Sequence, residues 1–190
     1  MDKADIIKEV CDSLLNKNHK GGIETLTTKY PFENYITVKR KPNPLFLTKI
    51  FLRDGFIDRY TGTKLVFPPV LRIISKALPE VFPFQSNWKM TETHVAYWEL
   101  FPTIDHIKPI ARGGYDTEEN IITASMIRNA AKSNFTLEEI GWSVKEPGNL
   151  NDWDGLTEVF KQLIQADPLL IKDPYIRNWQ TALQRAENSN

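Results

Sequence analysis

The sequence predicts an α+β fold, a strand–loop–strand–helix core with helices on both sides, and three observations carry that expectation. A run rich in β-branched and aromatic residues, His94 to Ile104, has strand character and delivers Asp105 and His106 side by side. Gly113 and Gly114 then signal a tight reversal, since glycine alone enters positive φ without a steric cost, and Asn120 precedes a short helical run with Asn129 near its end. Apolar residues also recur at helical spacing toward both ends of the chain. At 190 residues the chain suits one domain, with its core over about 53–142, a helical extension over 1–52 and another over 143–190.

Taken in order, residues 5 to 16 place Ile6, Ile7, Val10, Cys11, Leu14 and Leu15 on one wide apolar stripe, so Cys11 reads as a core thiol. Asn16 to Gly22 reads as a polar loop with His19 in solvent. Pro31, Pro42 and Pro44 argue against continuous helix over 30–45, while Phe46 to Phe51 fits a short helix or a strand equally well. Pro68-Pro69 opens a helix through Leu78, stopped by Pro79 and Pro83. Beyond the central segment, Thr136 and Glu139 form a capping box with Phe135 and Ile140 as a hydrophobic staple, and Gly141 closes that helix. Leu156, Val159, Phe160, Leu163 and Ile164 mark another helix. Asp173-Pro174 starts a last one bearing Ile176, Trp179 and Leu183, and the two serve as scaffold or as a self-association surface.

Composition is that of an ordinary globular protein, without an apolar run of membrane-spanning length. The opening Met1-Asp2-Lys3-Ala4-Asp5 is unlike a signal peptide, so the expected compartment is the cytoplasm. A single cysteine excludes an intramolecular disulfide and a thiolate zinc cage. Net charge is zero, which neither favours nor excludes nucleic acid, because affinity depends on local positive potential. Lys39-Arg40-Lys41, Lys108 and Arg112 supply candidate local charge, with a solvated surface as the plain alternative.

The chemistry concentrates between Asp105 and Lys132. Imidazole, with an ordinary pKa of about 6.5, makes His106 a natural general base. The Asp105 carboxylate and the Asn129 amide oxygen are hard ligands suited to Mg²⁺ or Mn²⁺. Neighbours on a strand face opposite ways, so Asp105 and His106 would approach a phosphodiester from different sides. Lys132, near a helix end, answers either to the helix dipole or to a phosphate, and Arg112 is equally open.

Asp105-His106, Gly113-Gly114, Asn120 and Asn129 with Lys132 three residues on resemble the ββα-metal motif of the HNH endonucleases, in a variant with Asn at the last position. The resemblance implies a ββα-metal core and a metal-dependent DNA endonuclease leaving 5′-phosphate and 3′-hydroxyl ends. It also implies that Asn120 ties down the loop and orients the base without touching metal; Lys108, Arg112 and Lys132 are the candidate substrate contacts. Many relatives carry two Cys-x-x-Cys pairs for a structural zinc, where this chain has Asp58, Thr61, Ser125 and Arg128. No structural zinc is therefore expected. An Asp58–Arg128 ion pair, with the two hydroxyls adding hydrogen bonds, is expected to fasten the early hairpin to the helix, at about 1.5–3 kcal/mol per charge-assisted bond. Duplex DNA is the expected partner, a homodimer would suit two-fold symmetric cutting, and restriction or phage defence fits by analogy. A low-specificity nuclease or nickase, and a catalytically inactive DNA- or partner-binding module, are the alternatives.

Overall fold

The computed structural model describes residues 2–32 and 43–189, so Lys39-Arg40-Lys41 lies outside the described residues. The chain divides into two compact units, Met1–Thr37 and Val38–Asn190.

The first unit pairs α1 (Lys3–Leu15) with α2 (His19–Lys29). Asp2 caps α1 by accepting from the Ala4 amide at 3.1 Å, and Asn18 caps α2 by accepting from Gly21 at 3.0 Å. Asn16 to Gly22 is therefore not all loop. Two glycines and three threonines hide α2 from propensity, and packing overrides them, with Gly22 letting the Val10 side chain approach. The buried stripe of α1 is narrower than its periodicity implies: Ile6 and Val10 are buried, whereas Cys11 is exposed, so the core-thiol expectation is corrected.

The second unit is mixed α and β. Its elements are α3 (Pro44–Arg53), α4 (Pro68–Ala77), α5 (Ala96–Glu99), β1 (Pro102–His106), β2 (Ile121–Ser125), α6 (Met126–Lys132), α7 (Leu137–Ile140), α8 (Thr157–Ala166) and α9 (Pro174–Glu187). Asn43 caps α3, whose first turn opens on Pro44, and this settles the open reading of 46–51 as helix. The capping box at Thr136 and Glu139 is present, and Gly141 closes α7 in the left-handed conformation. Among the described residues no helix is long and apolar enough to cross a membrane.

The strand expected over His94 to Ile104 is corrected. Its first half is the short helix α5, and the strand starts only at Pro102. Aromatic residues there serve packing rather than pleat: Tyr97 is buried against Phe84 and Trp88, and His94 stacks on Phe82 at 4.3 Å.

β1 and β2 form an antiparallel pair in which Asp105 faces Ile122 and His106 faces Ile121. The main core lies against this hairpin on the side of α3, α4, α8 and α9. Phe51, Phe67, Phe160 and Trp179 interlock there by edge and stacked ring contacts, and Ile104 packs against the same cluster. The C-terminal helices are thus part of the scaffold of the core. A smaller cluster of Tyr60, Ile122 and Ala124 covers the opposite side, under Leu137 and Trp142.

Two strands cannot satisfy their own outer edges, and buried edge groups cost about 1–3 kcal/mol each when unpaired. Side chains complete the sheet instead. On the β2 edge the Thr123 amide donates to Asp54 at 2.7 Å and the Ser125 amide to Asp58 at 2.8 Å, while Arg53 donates to the Ile121 carbonyl at 2.6 Å. Asp58, fully buried, also accepts from the amides of Tyr60 at 2.9 Å and Thr61 at 3.1 Å. The expected Asp58–Arg128 ion pair is therefore corrected. Arg128 lies exposed with its guanidinium over the Trp142 ring, Thr61 bonds Thr63, and the Ser125 hydroxyl caps α6. Asp58 still joins the early hairpin to the start of α6, but through three backbone amides.

Asp58→Ala should destabilise the chain by about 3 kcal/mol in urea unfolding, because the buried amides of Tyr60 and Ser125 lose their acceptor and that of Thr61 keeps only the Asp58 carbonyl. Arg128→Ala should cost under about 1 kcal/mol. Equal effects would contradict the backbone clamp.

Candidate active site

The chain from Pro102 to Lys132 runs strand, loop, strand, helix, and the loop between the strands is held from within. The Asn120 carboxamide accepts from the Lys108 amide at 2.9 Å and donates to the carbonyls of Lys108 at 2.9 Å and Tyr115 at 2.8 Å. One side chain therefore pins both ends of a broad turn. The two glycines serve different needs. Gly113 adopts φ 78°, whereas Gly114 has the Lys108 carbonyl so close that a Cβ would lie 2.0 Å from its oxygen.

Asp105 and His106 diverge from their shared strand. The buried Asp105 carboxylate accepts from the Tyr60 hydroxyl at 2.6 Å and pairs with the Lys132 ammonium at 3.1 Å, both at Oδ2. Its Oδ1 accepts from the His106 amide at 2.8 Å. His106 instead turns its Nε2 to Asp116 Oδ1 at 3.1 Å. A carboxylate in that position fixes the imidazole orientation, as in other base–orienter pairs.

α6 lies against the outer edge of β1. Asn129 Nδ2 donates to the Ile104 carbonyl and to Thr103 Oγ1, each at 3.0 Å, and Lys132 donates to the His106 carbonyl at 2.7 Å. Lys132 is fully buried between that carbonyl and Asp105. A substrate-facing role for Lys132 is therefore corrected: its ammonium is spent inside the fold, where it neutralises Asp105. Burial and the negative charge of Asp105 also push the Tyr60 phenol far above its ordinary range, so it stays a donor at any physiological pH.

The exposed cations differ. Lys108 projects from the pinned loop, and its ammonium has no acidic partner among the described residues. Arg112 reaches Glu139 Oε1 at 3.3 Å, which couples the loop to α7. His94, Trp98 and Glu99 do not gather beside His106. Glu99 lines a separate groove of about 570 Å³ with Thr61, Thr63 and Arg128.

Asp105 and Asn129 offer oxygens of the hard type that a divalent cation takes, while among the described residues no group of three His, Cys, Asp or Glu side chains gathers to hold one. Asp105 Oδ1 carries no hydrogen bond beyond that of its neighbour's amide, and Asn129 Oδ1 accepts none among the described residues. One charged and one neutral oxygen, with an ammonium at 3.1 Å from the same carboxylate, would by themselves hold such a cation only weakly. Sequence reasoning passed over Tyr60 and Asp116. Asp116 stands within the motif itself, ten places after His106, but nothing short of loop geometry shows that it turns back to the ring. No protein-family model matches the chain, and no curated protein or solved structure matches it significantly.

Gly114→Ala should lower the melting temperature far more than Gly113→Ala. The first forces the Lys108 carbonyl aside, while the second meets only the Lys108 ammonium, at 3.9 Å, and about 1 kcal/mol of backbone strain. Alkaline unfolding tests the Tyr60–Asp105 contact. The folded chain keeps the phenolic proton to higher pH than the unfolded chain, so its contribution is complete below about pH 10 and falls above it. Tyr60→Phe should flatten that decline by up to about 1.4 kcal/mol per pH unit. Tyr97, also shifted upward by burial, should leave a residual slope.

Proposed function

We propose that this protein is a metal-dependent DNA endonuclease that hydrolyses phosphodiester bonds to 5′-phosphate and 3′-hydroxyl ends, in restriction or phage defence. The observation that carries the reading is the convergence on one hairpin and its helix: Asp105 beside His106, a loop pinned by Asn120, and Asn129 held against β1. His106 takes the proton of the attacking water, and Asp116 keeps its ring oriented. Asn120 keeps the loop carrying Asp116 at a constant distance from β1. Lys108 lies outward on that loop, where it receives a backbone phosphate. Asp105 and Asn129 would hold Mg²⁺ or Mn²⁺, which when bound supplies charge neutralisation at the phosphate and the departing oxygen.

A second reading has its own support. With Tyr60 and Lys132 already on Asp105, the carboxylate is internally balanced, which suits a DNA-binding module of this shape without cleavage.

Incubation of plasmid and phage DNA with the protein and Mg²⁺ or Mn²⁺ separates the two. Cleavage abolished by EDTA and by His106→Ala, and reduced about tenfold or more by Asp116→Asn, is the expected outcome. Discrete fragments would mark sequence-specific cutting, and a smear or nicks a low-specificity nuclease. DNA shifted in a gel but left intact with either metal would sink the catalytic reading in favour of the second.

A further inference from the structure

A cavity of about 300 Å³ opens in the main unit, lined by Arg72, Phe84, Ser86, Trp88, Tyr97 and Phe101, with Tyr175 closing one side. None of Asp105, His106, Asn120 or Asn129 contributes to it. Four of these six are aromatic, and the remaining large group is a guanidinium.

Arg72 supplies the positive charge of this cavity. Its Nε is buried without a hydrogen-bond partner, and among the described residues its guanidinium makes no hydrogen bond or ion pair. Phe84 covers one face of the group at 4.4 Å, which leaves the edge donors directed away from that ring. The acidic residue that feels its charge, Asp173, is committed elsewhere: Oδ2 accepts from Lys76 at 2.7 Å and Oδ1 from the Tyr175 amide at 2.9 Å. A guanidinium on an aromatic wall without an acceptor is poised for a multi-oxygen anion, for which its planar fork is suited.

The opposite wall is held under strain. Trp88 adopts φ 57°, a left-handed conformation that a bulky side chain rarely takes. The loop maintains it through Gln85, whose side-chain oxygen accepts from the amides of Asn87 at 2.7 Å and Lys89 at 3.3 Å. The indole thereby stands edge-on to Tyr97 and Phe101, at interplanar angles of 88° and 90°. Such strain is typical of ligand sites, where it sets a side chain in advance of binding.

We propose that this cavity binds a nucleotide unit, with the heteroaromatic ring against Trp88, Tyr97 and Phe101 and the phosphate on Arg72. The volume suits one base with its phosphate, stacking on aromatic rings tolerates any base, and the anion fills the role Arg72 lacks within the fold. The same chemistry is offered by a free mononucleotide and by a nucleotide extruded from a DNA strand. The site stands on its own geometry and does not depend on whether the chain cleaves DNA.

Titration of the full chain with the four deoxynucleoside 5′-monophosphates, followed by tryptophan fluorescence, tests the site. A duplex carrying 2-aminopurine supplies the second arm, since its emission rises when the base leaves the stack. Saturable quenching by a monophosphate, about tenfold weaker for the matching nucleoside, is expected for a free ligand, and a 2-aminopurine rise for an extruded one. Arg72→Met and Ser86→Leu should each weaken the response about tenfold. Ser86 is exposed, so its variant keeps the test valid should Arg72→Met fail to fold. No response in either arm, or a response of wild-type strength in both cavity variants, overturns the proposal.

Discussion

A two-stranded sheet has two outer edges and no third strand to cover either, and the central unit of this protein depends on how those edges are closed. Side chains do it. Asp54, Asp58 and Arg53 take the outward groups of β2, and Asn129 and Lys132 take the outward carbonyls of β1. An isolated pair of strands is marginal in water, so these bonds, together with the packing on both faces, make the hairpin a rigid platform. Both carboxylates on the β2 edge are fully buried, where an acceptor facing backbone amides contributes most and an unpaired one would cost most.

The same economy shapes the candidate site. Asn129 and Lys132 each hold β1 through a carbonyl, and Lys132 also neutralises Asp105. The Asp105 carboxylate is consequently balanced in the free protein by an ammonium and a phenol. Any cation drawn to it would have to compete with Lys132. Two pairs, Asp105–Lys132 and His106–Asp116, separate the two neighbouring motif residues into different electrostatic surroundings.

Where zinc-bearing proteins of similar motif would clamp hairpin to helix through four thiolates, this chain distributes the task. Asp58 gathers three amides, and a large aromatic core formed by α3, α4, α8 and α9 supports the other side of the hairpin. Burial of Phe51, Phe67, Phe160 and Trp179 supplies stabilisation that a small metal-clamped module lacks.

Much of this was legible in the chain itself, because local chemistry writes itself into short patterns. The prolines opening α4 and α9, the capping box at Thr136 and Glu139 and the turn at Gly113 all act over a few residues, and each stands where its pattern points. What depended on distant partners was not. The aromatic run at His94 to Glu99 forms helix because Tyr97 packs against Phe84 and Trp88, and Cys11 is exposed because only Ile6 and Val10 of its stripe are buried. Charge complementarity alone joined Asp58 to Arg128, yet backbone amides won, since buried donors without acceptors cost more than an exposed guanidinium left in water. Lys132 could have faced solvent or protein by sequence. Only the tertiary structure, by bringing a buried carboxylate and an edge carbonyl to one point, turned it inward.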